Sequence, residues 1–150
     1  MLVDREWMSP KLGDLLHVIP IPDYKRSMNW EDLHRPWVMP SPNMPTFDGT
    51  AIVYPGTGIF ENVGGVSEGR GTTRPFEILG APTANATVAD LVTRTLNEKN
   101  LPGCSFRTTF FIPTFGNYMD KLCGGLQIRL LNRQLFCIVV FFTFFFFEQM

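Results

Sequence analysis

Metal ligands are scarce in this chain of 150 residues, which has two histidines and three cysteines. Cys104, Cys123 and Cys137 are odd in number and widely spaced, with no CxxC pair, and His17 and His34 lie far from all of them. That pattern disfavours a metal or redox site and leaves the cysteines as small buried hydrophobes. Positive charge is equally short. A net charge of −1, with 18% charged residues, lacks the clustered basic face that nucleic-acid binding requires. Nucleotide fingerprints are missing too. Gly56-Thr57-Gly58 meets Glu61 where a further glycine belongs, and Gly64 to Arg70 leads into Arg70-Gly71 where a phosphate loop needs Lys and Ser or Thr. No cofactor is therefore expected. The opening MLVDREWMSPKLGD has acidic residues where a secretory leader has its apolar core, so no export signal is read there. There are no internal repeats.

What the chain does have is glycine (13) and proline (12), with 45% apolar residues, the composition of a loop-rich globular domain. Leu15 to Ile21 is a short apolar run that predicts a buried strand with His17 hydrogen-bonded inside it. The prolines at 36, 40, 42 and 45 make Trp30 to Pro45 extended. Ala51 to Tyr54 reads as a short strand ended by Pro55-Gly56. The main helix is expected from Val88 to Lys99, capped near Thr87, with Val88, Leu91, Val92, Thr95 and Leu96 on one face. Asn85-Ala86-Thr87 is a glycosylation sequon that reads more simply as that cap. Strands follow over Ser105 to Ile112 and over Leu126 to Leu130, the second alternating with one wet face. Tyr54, Phe60 and the stripe Phe106, Phe110, Phe111 and Phe115 are assigned to the core. These elements predict a small mixed sheet of the α/β or α+β class, with one main helix and long irregular loops.

The last stretch differs in kind. Leu135 to Phe147 has Thr143 as its one polar residue and ends FFTFFFFEQM. As a helix it would reach about 20 Å, short of the ~30 Å hydrocarbon core, so a membrane span is not expected. Residues 135–150 read as an aberrant apolar tail of the kind a shifted reading frame encodes, and as an aggregation hazard.

The densest chemistry lies within Pro40 to Glu77, where glycines, prolines and polar groups crowd together with little apolar periodicity. Glu68, Arg70, Thr72, Arg74 and Glu77 fall on one loop, with Asn43 upstream. Loops carry recognition while periodic segments carry packing. Arg70 and Arg74 offer planar forks that hold a carboxylate through two parallel hydrogen bonds. Glu68 and Glu77 could accept from sugar hydroxyls or orient the arginines. An internal ion-pair network that fastens the loop to its domain fits the same spacing, and both readings stay open.

PSPNMPT (40–46), VYPGTGIFE (53–61) and SEGRGTTRPFEILGAP (67–82), with HVIPI and YKRSM before and LPGCSFR, FIPTF and KLCGGLQI after, resemble the NamZ-type exo-β-N-acetylmuramidases, formerly a domain of unknown function. The resemblance covers residues 12–134 in family order. It implies a bacterial cell-wall glycosidase releasing N-acetylmuramic acid from the non-reducing end of peptidoglycan fragments, with a Rossmann-like domain, an auxiliary domain and a cleft between them. It also implies a division of this chain: 1–45 as the remnant of the first domain with its linker, 46–134 as the substrate-contacting auxiliary domain, then the tail. On that basis the chain is incomplete relative to the family fold and is expected to be inactive alone, because the segments matched to catalytic carboxylates lie upstream. A glycosidase needs two carboxyl groups flanking the scissile bond, and one loop is a poor source of both. The catalytic residues are thus unknown, and Asn43, Glu68, Arg70, Thr72, Arg74 and Glu77 are expected to bind substrate. The implied partner is a muramic-acid-containing saccharide or muropeptide, with no nucleic acid, metal or membrane. Family members are commonly exported, which leaves the compartment of this chain open. The alternatives are a non-catalytic muropeptide-binding module and a truncated product without function.

Overall fold

The computed structural model describes residues 15–136. The chain divides into two units, Met1–Pro36 and Trp37–Met150. In the first, the described residues carry a single 3-10 turn, Trp30–Leu33. Asn29 N–H donates to Asp32 Oδ2 at 2.8 Å at its start, and Trp30 Nε1 donates to the Arg35 carbonyl at 3.0 Å. The strand expected over 15–21 does not form. Leu15, Leu16, Val18 and Ile19 are exposed, and so is His17. Pro20 and Pro22 remove ladder donors, and the described residues supply no partner strand.

The second unit holds the fold. Helix α1, Thr50–Thr57, replaces the strand expected at Ala51 to Tyr54. The β-branched and aromatic run Ile52-Val53-Tyr54 favours a strand locally, but tertiary packing decides. Val53 is fully buried, and the Tyr54 ring meets Phe76 edge-on with centroids 4.8 Å apart. Thr46 Oγ1 accepts from the N–H groups of Gly49 and Thr50, supplying the start signal four residues upstream of the first helical residue. A 3-10 turn, Gly58–Asn62, continues α1 and buries Phe60.

Strand β1, Ile78–Ala81, follows the polar loop. Helix α2, Ala86–Glu98, comes next, then β2, Cys104–Phe111, and β3, Cys123–Leu130. The sheet order is β1-β3-β2, antiparallel throughout, with Ile78 opposite Gln127 and Phe106 opposite Ile128. Asn85 caps α2, its side chain accepting from Val88 N–H at 3.0 Å, two residues before the expected cap. At the other end Asn97 clasps β2, donating to the Phe106 carbonyl at 2.8 Å and accepting from its N–H at 2.9 Å. The helix turns Ala89, Thr93 and Leu96 inward, leaving Val88 and Leu91 exposed.

The core is Val53, Phe76, Leu96, Phe106, Leu126 and Ile128, with a satellite of Phe60, Val66 and Leu79. Of the phenylalanine stripe assigned to packing, Phe106 alone is fully buried, while Phe110 and Phe115 are exposed. β2 is an edge strand, so its outer positions have no neighbour to cover them. Tyr54 is likewise partly exposed despite its contact with Phe76. Cys123 is buried and Cys104 half-buried, both as free thiols. Cys137 and residues 137–150 of the apolar tail lie outside the described residues. Among the described residues no helix is long and apolar enough to cross a membrane.

Candidate functional site

The polar loop leaves the satellite core at Ser67, which exchanges two backbone hydrogen bonds with Gly80. It returns at Glu77, whose carbonyl accepts from Ile128 N–H at 2.8 Å on the central strand β3. Between these anchors the chain reverses through Gly69 and Gly71, both at positive φ, and through Phe76 at φ 64. A side chain at Gly71 would press into the backbone of Thr114 and Phe115, so glycine is required there. That close approach lets the Gly71 carbonyl accept from both the N–H and the hydroxyl of Thr114, at 3.1 and 2.8 Å.

The loop carries two ion pairs that differ in kind. Glu68 has no exposure at all. One of its oxygens accepts from Arg70 Nε and the other from Asn117 Nδ2 at 3.3 Å. Arg70 reaches on to Glu61 at 3.3 Å and lies over the Phe115 ring at 5.6 Å. A carboxylate taken wholly out of water needs such partners, and here the charges serve each other. Glu68 and Arg70, both expected to face a ligand, instead fasten the loop to the 112–122 segment. Thr72 also turns inward: its hydroxyl donates to the Gly69 carbonyl at 2.6 Å and accepts from Arg74 N–H at 3.1 Å. Asn43 is half-buried, with its N–H on Ser41 Oγ at 3.2 Å, and lines neither cavity described below.

The second pair borders open space. Glu77 is 6% exposed; one oxygen accepts from Thr50 Oγ1 at 3.0 Å and the other from Arg74 Nη1 at 2.9 Å. Arg74 is more than half exposed. Both line a polar hollow of about 440 Å³, within the range of roughly 300–1,000 Å³ typical of small-ligand sites. Gly49 lies against Glu77, where a Cβ would come within 2.6 Å of a carboxylate oxygen. Thr46 and Asp48 close one side, and Gln127 and Arg129 of β3 line another. A second cavity of about 370 Å³ beside α2 is lined by Leu79, Val92 and Leu96 among others and carries no charged side chain. Of the two cavities, the polar hollow is thus the one with charged side chains.

The sequence reading reached Arg74 and Glu77 but missed Thr46, Asp48, Asn117, Gln127 and Arg129. Gln127 and Arg129 were visible as the wet face of an alternating strand; what could not be seen was that this face lies beside the loop. Among the described residues no group of three or more His, Cys, Asp or Glu is placed to hold a metal. Burial pushes the thiols of Cys104 and Cys123 up from their ordinary value, with Lys121 opposing the shift at Cys123.

Residues 52–144 match the profile of the exo-beta-N-acetylmuramidase NamZ C-terminal domain, and residues 1–48 match that of the N-terminal domain. The C-terminal match thus runs into the apolar tail. The peptidoglycan beta-N-acetylmuramidase NamZ of Bacillus subtilis is 45% identical over 121 residues, covering 81% of this chain. A crystal structure of a DUF1343 family protein from Bacteroides fragilis superposes with a TM-score of 0.68 at 27% identity, covering 77% of this chain. The chain spans 28% of the length of the first relative and 29% of the second. The hollow includes Thr46, Asp48 and Gly49, close to where the first profile match ends at 48 and the second begins at 52.

Proposed function

The chain belongs to the NamZ exo-β-N-acetylmuramidase family of glycoside hydrolases, and from that premise we propose that it forms the part of such an enzyme that contacts a muramic-acid-containing saccharide, without hydrolysing it alone. The observation that carries this reading is the polar hollow bordered by Arg74 and Glu77. N-acetylmuramic acid bears a lactyl carboxylate, and a guanidinium with free donors is its natural partner. Arg70 is spent on Glu68, Glu61 and Phe115, so Arg74 takes this role. Glu77 orients Arg74. The two loop carboxylates support the absence of hydrolysis: Glu68 is sealed and paired, and Glu77 is doubly engaged. Neither is left to donate a proton or attack a sugar, the two tasks glycoside cleavage requires.

Binding of N-acetylmuramic acid and N-acetylglucosamine to the purified chain, followed by calorimetry, checks the proposal. Binding is expected to favour the muramic sugar, and Arg74→Ala is expected to reduce that preference by about tenfold, the worth of one charge-assisted contact. A chromogenic muramide is expected to remain intact. Equal affinity for the two sugars in the wild-type chain, or turnover of the muramide, would overturn the reading.

A further inference from the structure

We infer that Gln127 and Arg129 of β3 complete, with Arg74, a carboxylate-binding subsite in the polar hollow; this rests on the reading that the hollow meets a muramic saccharide. The buried acceptor of the hollow, Glu77, is already satisfied. Thr50 and Arg74 occupy both oxygens of Glu77, and Arg133 stands 3.8 Å from Asp48. The donors are not. Gln127 is 7% exposed, and its side-chain carbonyl accepts from Arg107 Nε at 2.6 Å. The amide NH2 therefore has no partner among the described residues. No fully buried side-chain nitrogen or oxygen among them lacks a partner, so this NH2 keeps some contact with solvent, and Gln127 lines the hollow. A polar group buried to this degree and left with unused donors is costly unless something accepts from it.

Arg129 is two residues along the same strand face and also lines the hollow, with no hydrogen-bond or ion-pair partner among the described residues. Among the charged side chains that line the hollow, Glu77 engages Arg74 and Asp48 stands 3.8 Å from Arg133, while the Arg129 guanidinium has no such partner among the described residues. Its placement relative to Arg74 is fixed by the hydrogen bond from Ile128 N–H to the Glu77 carbonyl, one residue from each of Gln127 and Arg129. The Gln127 amide, the Arg129 fork and the donors of Arg74 not engaged by Glu77 fit an anion with two acceptor oxygens in one plane. The 3-O-lactyl carboxylate of muramic acid has that shape; the hydroxyl at the same position of glucosamine does not.

The test uses the full chain, isotope-labelled, titrated with D-lactate as a carboxylate probe and with D-lactamide as its uncharged counterpart. Lactate is expected to shift the Gln127 side-chain amide signals, while lactamide leaves them in place. Arg129→Gln is expected to weaken lactate about tenfold. Arg129→Lys keeps part of the affinity, because it retains charge but not the fork. Gln127 signals that ignore lactate, or respond equally to lactamide, overturn the subsite. The two readings fail separately. If lactate acts as expected but N-acetylmuramic acid does not bind, the sugar reading falls and the subsite stands. If the muramic sugar binds and Arg129→Gln leaves its preference over N-acetylglucosamine unchanged, the subsite falls and the sugar reading stands.

Discussion

Removing the Arg70 guanidinium would leave Glu68 fully buried beside one neutral donor, Asn117 at 3.3 Å. Breaking a buried pair from one side costs about 3 kcal/mol, because the remaining charge is uncompensated. Arg70→Ala is therefore expected to lower stability by about that amount in urea unfolding, and Arg74→Ala by less, since the Glu77 carboxylate left behind keeps Thr50 and borders the open hollow. Similar losses for both would contradict the division of the loop into a fastening pair and a pair that borders the open hollow. Spacing alone could not make that division. Glu68-x-Arg70 and Arg74-x-x-Glu77 look alike in one dimension, and what separates them is Asn117, Glu61 and Phe115 closing over the first pair. Asn117 and Phe115 are distant in sequence from the loop, so no local pattern announces them.

At the scale of elements, the cap of α2 and the latch at Gly71 bear on stability in different ways. Asn85→Ala removes the acceptor for Val88 N–H and is expected to cost about 1 kcal/mol, read as a lowered midpoint in thermal unfolding by circular dichroism. Gly71→Ala meets both a positive φ of 78 and the backbone of Thr114 and Phe115, so a loss of about 2 kcal/mol is expected. An unchanged midpoint in Gly71→Ala would mean that the loop does not depend on its contact with residues 114–115. Helix α2 and strands β2 and β3 were legible because their patterns are local: a cap, an apolar stripe, a clean alternation. Helix α1 was not legible, because its residues favour a strand and are held helical by Thr46 upstream and by Phe76 across the core. β1 was hidden by its brevity, and its identity as a strand rests on pairing with β3.

For the molecule as a whole, the α/β character of the chain was readable from composition and element types, whereas the order β1-β3-β2 was not, since pairing is a long-range choice. The unit as a whole also responds to alkaline conditions. The folded state holds the thiols of Cys104 and Cys123 protonated beyond their ordinary value of 9.0, so the unfolded chain ionises them first as pH rises. Stability from the neutral buried thiols is full below that value and is lost as pH climbs through the raised values. Urea midpoints should therefore fall above pH 9.0, and the fall should shrink in the Cys104→Ala/Cys123→Ala double variant. An identical fall in both proteins would place the alkaline sensitivity elsewhere.

The Asn117 amide also reaches the Glu61 carbonyl at 3.3 Å, joining positions 56 residues apart. Such a bond carries a large loop-closure cost until β2 and β3 have paired and brought residue 117 into place. The Glu68–Arg70 fastening of the loop thus closes late in folding, after the hairpin. Refolding followed by amide signals of Glu68 and Arg70 should lag behind refolding followed by the far-ultraviolet signal of the sheet.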